Sequence, residues 1–236
     1  MNRDFKEGLH DGIPIALGYF AVSFSIGIIA KGAGLTALEG FMSSFFTRAS
    51  AGEYGAYTLI AANAAYVELV LMSVIINLRY LLMSASLSQK IAPSTSLFHR
   101  VMMSLCITDE IFGVSIGHKG FTPPAYTYGA ALISTIFWAS GCATGIVAGE
   151  ILPHDIVAAL SMSLYGMFIA IIVPQAKKDR SVLFAIIASF ALSGLFSIIP
   201  VVKDFSPGIQ IIVLTLLISS AMALFFPIKE DMYGKE

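Results

Sequence analysis

The chain has 236 residues, 57% of them hydrophobic and only 12% charged, with a net charge of −1 and a mean hydropathy of +0.83. Soluble domains carry about twice that share of charge, and no basic patch exists to support a nucleic-acid partner. The composition is that of one all-α integral domain over 1–236, a polytopic helical bundle whose solvent is the lipid bilayer.

Residues 1–11 form a short polar start, "MNRDFKEGLHD". It is too charged, and the apolar run after it too long, for a cleaved signal peptide, so the first span at 12–30 is expected to remain. "KGAGLT" at 31–36 is a turn with two glycines as breakers. Residues 37–49 are apolar but short, which reads as a half-span, a re-entrant helix or a steeply packed helix near 36–52. Residues 54–76 are long enough to cross, although they hold Asn63 and Glu68, and they run into "INLRYLLMSASL". A polar loop at 91–100 precedes the run 97–117, apolar except for Asp109 and Glu110. Pro123 and Pro124 bar helix continuation out of the loop at 118–124. Further spans are expected at 125–149, 156–174, 182–199 and 205–226, for about 7–8 crossings in all.

Lys and Arg in the loops set the expected orientation. The loop at 177–180 holds three positive residues and is expected in the cytoplasm; the loop at 150–155 holds none and is expected outside. Alternation places the tail 229–236 inside. It places 1–11 inside as well, provided the short segment counts as a crossing.

The informative residues are the charges inside apolar runs: Arg48, Glu53, Glu68, Arg79, Asp109 and Glu110. By insertion scales such a charge costs about 2.5–3.5 kcal/mol at the membrane centre, so it faces the bundle interior, pairs, or lines a wet path. Asp109 and Glu110 are neighbours, about 100° apart on a helix, and cannot both face one partner. One reading is a structural salt bridge from either acid to Arg79. The other is a substrate or proton path, because an acid buried without a partner can carry a proton. Arg79 in "NLRY" can fork onto an internal acid or onto the carboxylate of a small solute. Asn77 does not share its face and reaches backbone or substrate only if the helix bends there. Arg48 and Glu53 flank "ASAG". A helix broken at these small residues frees backbone N–H groups that attract a carboxylate, which makes Ser50, Gly52 and Glu53 candidates. The alternative there is a tight helix contact with an Arg48–Glu53 pair at its edge.

Gly141, Gly145 and Gly149 recur every fourth position beyond Trp138, the small-residue pattern of close helix packing. Cys106 and Cys142 lie in apolar runs and read as small buried hydrophobes. His10, His99, His118 and His154 are scattered, so no metal site is expected. No phosphate-cradling glycine loop and no nucleophile–base constellation is present, which points away from an enzyme.

The order of motifs is "DGIPIALGYFAVSFSIGIIAKGAGL", "MSSFFTRASAGEYGA", "INLRYLLMSASL", "TDEIFG", "FWASGCATG" and "MFIAIIVP". In this order the chain resembles the AzlC family of branched-chain amino acid transport proteins, most specifically in Asn77-Leu78-Arg79 followed by Asp109-Glu110. The resemblance implies a multi-pass permease of the bacterial inner membrane that exports a small zwitterion such as valine. It also implies a small hydrophobic partner subunit of the AzlD type and secondary transport without a bound cofactor. On that reading Arg79, Asp109 and Glu110 form an intramembrane charge network, with Asn77 beside it, and Ser50, Gly52 and Glu53 line the site or its gate. The chain departs from the family pattern in several places. Ser50 and Glu53 stand where glycine and glutamine are usual, Arg48 where an apolar or aromatic residue is common, and Tyr80 where histidine is frequent. Ala159-Leu160-Ser161 replaces Gly-Leu-Asp. These changes bear on the substrate more than on the fold.

Overall fold

A computed structural model describes residues 3–153, 180–199 and 205–226, with the single positions 155, 156, 169, 173, 176 and 177. The described residues are helical with connecting turns and contain no strand. The elements are α1 (Arg3–Gly32), α2 (Ala37–Thr47), α3 (Ser50–Ala61), α4 (Tyr66–Asn77), α5 (Arg79–Ser88), α6 (Leu97–Leu105), α7 (Asp109–Ile116), α8 (Pro124–Ile151), α9 (Arg180–Ile198) and α10 (Pro207–Phe225). The expected span at 156–174, the "MFIAIIVP" motif within it, loop positions 178–179 and the tail 229–236 lie wholly or mostly outside the described residues.

Two of these helices are long and apolar enough to cross a membrane singly, α1 with 30 residues and α8 with 28. The α4–α5 pair, bent by 40° at Leu78, makes a third span if taken as one; α9 and α10 are shorter apolar helices. The fold is a membrane helical bundle. The polar start expected before residue 12 is not a separate segment but the first turns of α1.

The core of the bundle is the α1–α8 pair, and glycine explains how close the two come. A Cβ on Gly8 would sit 2.0 Å from the Tyr126 carbonyl oxygen, and one on Gly145 2.0 Å from that of Phe24. Backbone therefore lies against backbone at both ends of the seam, which only glycine permits. Because 5–8 meets 126–129 and 24–27 meets 142–145, the two helices run in the same direction. Lys31 and Glu150 pair at the shared C-terminal end. Ile26, Ala30, Tyr57, Trp138, Cys142 and Ile146 fill the buried core beside this seam.

The short segment stays short, as expected, and two expected spans are broken, each for a local reason. The short segment at 37–49 becomes α2, which opens with a capping box between Thr36 and Glu39 and stops where Arg48 turns left-handed (φ 48°). The run 54–76, expected to cross as one helix, is instead a hairpin. α3 ends at a turn in which Asn63 also adopts positive φ (54°), a conformation asparagine tolerates better than most residues. α4 then folds back, with Met72 against Gly55 and Asn77 against Gly52. The run 97–117 is also not one helix. It breaks at 106–108, where Thr108 is extended and its side chain accepts from Ile111 N to start α7. Asp109 and Glu110 occupy the first turn of that new helix, where the helix dipole favours negative charge.

Candidate functional site

Every candidate residue lies at or beside a helix break or bend. Ser50 is the first residue of α3, whose N-cap, Ala49, supplies no side-chain hydrogen bond. Gly52 is buried beside the Asn77 side chain. Glu53, in the first turn of α3, is 1% exposed. Ser44 Oγ donates to its Oε2 at 2.6 Å, Trp138 Nε1 to its Oε1 at 2.7 Å, and Tyr57 OH lies at 3.5 Å. The carboxylate thus ties α2, α3 and α8 together in a sealed polar knot. The Arg48–Glu53 pair that the sequence left open does not form.

Asn77 ends α4, and the bend just beyond it meets the condition set by the sequence. Its Nδ2 donates to the Ser73 carbonyl at 2.8 Å, and its buried Oδ1 has no partner. Arg79 opens α5 and Asp109 opens α7, and their side chains form an ion pair at 2.9 Å. Both are about half exposed on the chain alone, at 47% and 48%, and the guanidinium lies 5.2 Å from the Tyr80 ring. Glu110 faces the other way, as the angular offset requires. It accepts from Tyr19 OH of α1, which also exchanges a hydrogen bond with Thr108 Oγ1.

These two groups of candidates are joined by residues that the sequence did not single out. The Tyr19 ring meets Trp138 edge-on, with centroids 5.1 Å apart. One continuous set of contacts therefore runs from Glu110 through Tyr19 and Trp138 to Glu53. In the sequence Trp138 stood out only at the head of the glycine pattern; Tyr19, Ser44 and Tyr57 carried no signal in their apolar surroundings. Arg48 adds a second link between breaks. Its Nη2 donates to the carbonyl of Leu105, the last residue of α6, and its Nη1 reaches Thr135 Oγ1 of α8 at 3.3 Å. From the 106–108 break, α7 leads toward a polar cavity of about 870 Å³ at the N-terminal end of α1. Its lining includes Asp11, His118, Lys119 and Tyr126, and Tyr126 OH donates to Asp11 at 2.8 Å.

The AzlC protein family matches residues 14–152, more than half of the chain. The chain belongs to the AzlC family. Among relatives of this AzlC protein, an uncharacterized membrane protein of Archaeoglobus fulgidus is 28% identical over 178 residues, covering 73% of this chain and 76% of that protein. The inner membrane protein YgaZ of Escherichia coli K12 is 26% identical over 203 residues, covering 82% of this chain and 83% of YgaZ. An uncharacterized membrane protein of Helicobacter pylori J99 is 22% identical over 182 residues, covering 76% and 78%. No solved structure matches the chain. The AzlC family is one of membrane transport proteins, generally linked to amino acid transport, and not of enzymes. The matched region runs from residue 14, within α1, through the end of α8 and hence holds all the helix breaks described above.

Proposed function

We propose that the protein is a secondary transporter of the bacterial inner membrane that exports branched-chain amino acids such as valine. In this reading it works with a small hydrophobic membrane subunit of the AzlD type. The observation that carries the reading is the Arg79–Asp109 ion pair, which joins the first residues of α5 and α7 at two helix breaks. Irregular backbone at membrane depth is stable where protein covers it or where it lines a cavity, and transporter sites use such discontinuous helices. Ser50, Gly52, Glu53 and Asn77 form the neighbouring wall or gate. Membership of a transport family and a polar cavity at one end of α1 support the same reading.

Asp109 and Glu110 are the candidates for proton coupling. Transport in vesicles indifferent both to a pH gradient and to Asp109→Asn and Glu110→Gln rejects the coupling. The bonds that pin Glu110 to Tyr19 and Asp109 to Arg79 favour a second reading, a non-transporting subunit whose charges fix helix packing. The deciding experiment is export of preloaded labelled valine, leucine, isoleucine and methionine from cells, with and without a candidate small subunit. An Arg79→Gln variant that still reaches the membrane is the control. Efflux from the wild type that is lost in Arg79→Gln supports transport. No efflux of any of the four from stably inserted protein sinks this reading in favour of another small amino or organic acid, or of the structural subunit.

A further inference from the structure

Among the described residues, Arg48 is a cation without a counter-ion. The ion pairs among the described residues are His10–Asp11, Lys31–Glu150 and Arg79–Asp109, and Arg48 belongs to none of them. Its Nε is buried with no hydrogen-bond partner. The groups it meets are neutral: the Leu105 carbonyl, the Thr135 hydroxyl and the Cys106 thiol. The C-terminal end of α6 offers about half a unit of negative charge, so the full charge of an arginine, which never deprotonates in proteins, is only partly offset. Glu53 does not serve, because it is sealed among Ser44, Tyr57 and Trp138.

Depth makes this imbalance significant. Thr135 lies 11 residues beyond Pro124 on α8, about 16 Å along the axis at ~1.5 Å per residue. For a helix of 28 residues centred on a hydrocarbon layer about 30 Å thick, that is well inside the layer. A lipid phosphate sits at the surface, outside that depth. Beside the guanidinium is a pocket of about 270 Å³ whose lining includes Phe45, Phe46, Tyr128, Ala131 and Leu132, besides Arg48, Cys106 and Thr135. This is just below the range for drug-sized ligand sites, about 300–1,000 Å³, and suits a smaller solute. One cation flanked by the Tyr128 and Thr135 hydroxyls in a mostly apolar lining suits a small solute with a polar, carboxylate-bearing end and a branched hydrocarbon at the other.

We propose that Arg48 receives the carboxylate of the transported amino acid, with the side chain lodged among Phe45, Ala131 and Leu132. The proposal rests on the transport reading and names the atom group that selects the solute. It assigns the anion site to the end of α2 rather than to Arg79, which already holds Asp109.

The test is binding of labelled valine to the full chain in lipid nanodiscs, with unlabelled valine and valinamide as competitors. Valinamide keeps the amine and side chain but has an uncharged amide in place of the carboxylate. Wild type is expected to prefer valine strongly. Arg48→Gln is expected to weaken valine binding by about tenfold or more, the scale of one lost hydrogen bond to a charged group, and to abolish the preference over valinamide. Arg48→Lys keeps the charge without the fork and is expected to fall between them. Loss of packing alone weakens both competitors and leaves the preference intact, so an Arg48→Gln protein that still prefers valine overturns the assignment but not transport. No binding of valine, leucine, isoleucine or methionine by wild type overturns the transport reading and this assignment together. If the Arg48 variants do not insert, Leu132→Trp decides. It adds bulk at a half-exposed position on the pocket, and undiminished valine binding there overturns the assignment.

Discussion

Removing one donor from Glu53 tests whether its hydrogen bonds hold the bundle together. Trp138→Phe deletes the Nε1–H that reaches Glu53 Oε1 at 2.7 Å and keeps an aromatic ring against Tyr19. Both partners are buried, at 3% and 1% exposure, so water cannot replace the lost donor. A hydrogen bond to a charged group is worth about 1.5–3 kcal/mol. Ser44 remains at 2.6 Å and softens the loss, so the expected destabilisation is about 2 kcal/mol. The assay is equilibrium unfolding of the purified chain in mixed micelles, followed by circular dichroism because the substitution removes the sole tryptophan. The informative form is a double-mutant cycle with Glu53→Leu. In that background the indole N–H has already lost its acceptor, so Trp138→Phe should cost little or even stabilise. A coupling energy of about 1.5–3 kcal/mol is expected. Equal cost in the two backgrounds, within about 0.5 kcal/mol, would refute the reasoning, since the effect would then be packing of the ring and not the carboxylate bond.

Two further substitutions probe the seam and the α7 start. Gly145→Ala places a Cβ 2.0 Å from the Phe24 carbonyl oxygen and should destabilise by about 1–3 kcal/mol or more, the range for overpacking. Gly18→Ala, with nothing within 4 Å of the added carbon, should gain about 0.5–1 kcal/mol from helix propensity; equal effects at the two sites in thermal unfolding would deny the close α1–α8 contact. Thr108→Ala removes the N-cap of α7 and a partner of Tyr19 OH. A loss of about 1 kcal/mol is expected, with Thr108→Ser retaining most of the stability. Equal losses for Ala and Ser in the same unfolding assay would show that the hydroxyl does not carry the effect.

The sequence made the membrane class, the two long helices and the intramembrane charges legible, because each rests on composition or on an uncharged apolar run. The Arg79–Asp109 partnership was also within reach, since a charge at that depth needs an opposite one. The helix breaks were less legible, for a physical reason. In an apolar solvent, hydrophobic periodicity no longer marks where a helix stops, so 54–76 and 97–117 read as continuous. The local signals were there but quiet. Thr108-Asp109-Glu110 has the form of a helix start, a capping hydroxyl followed by acids in the first turn, and Asn63 is suited to a left-handed turn. The partners of Glu53 and Arg48 come from residues 85 and 87 positions away in Trp138 and Thr135, and no local pattern encodes such pairings.

The breaks and the charges explain one another. A helix interrupted inside the membrane leaves carbonyl and N–H groups without intrahelical partners, and bare ends are not tolerated in hydrocarbon. Here the break at 106–108 is served from two directions. Arg48, at the end of α2, donates to the orphan carbonyl of Leu105, while Asp109, at the start of α7, is met by Arg79 at the start of α5. Thr108 satisfies the first turn of α7 locally. The charged residues are thus tolerated because the backbone is irregular where they sit, and the irregular backbone is tolerated because they sit there. An arrangement needed only for rigidity could dispense with both by continuing the helix. Keeping both costs stability at every break, and it leaves a guanidinium with an unpartnered Nε beside a cavity, which is the feature expected of a site that must take up and release an anion.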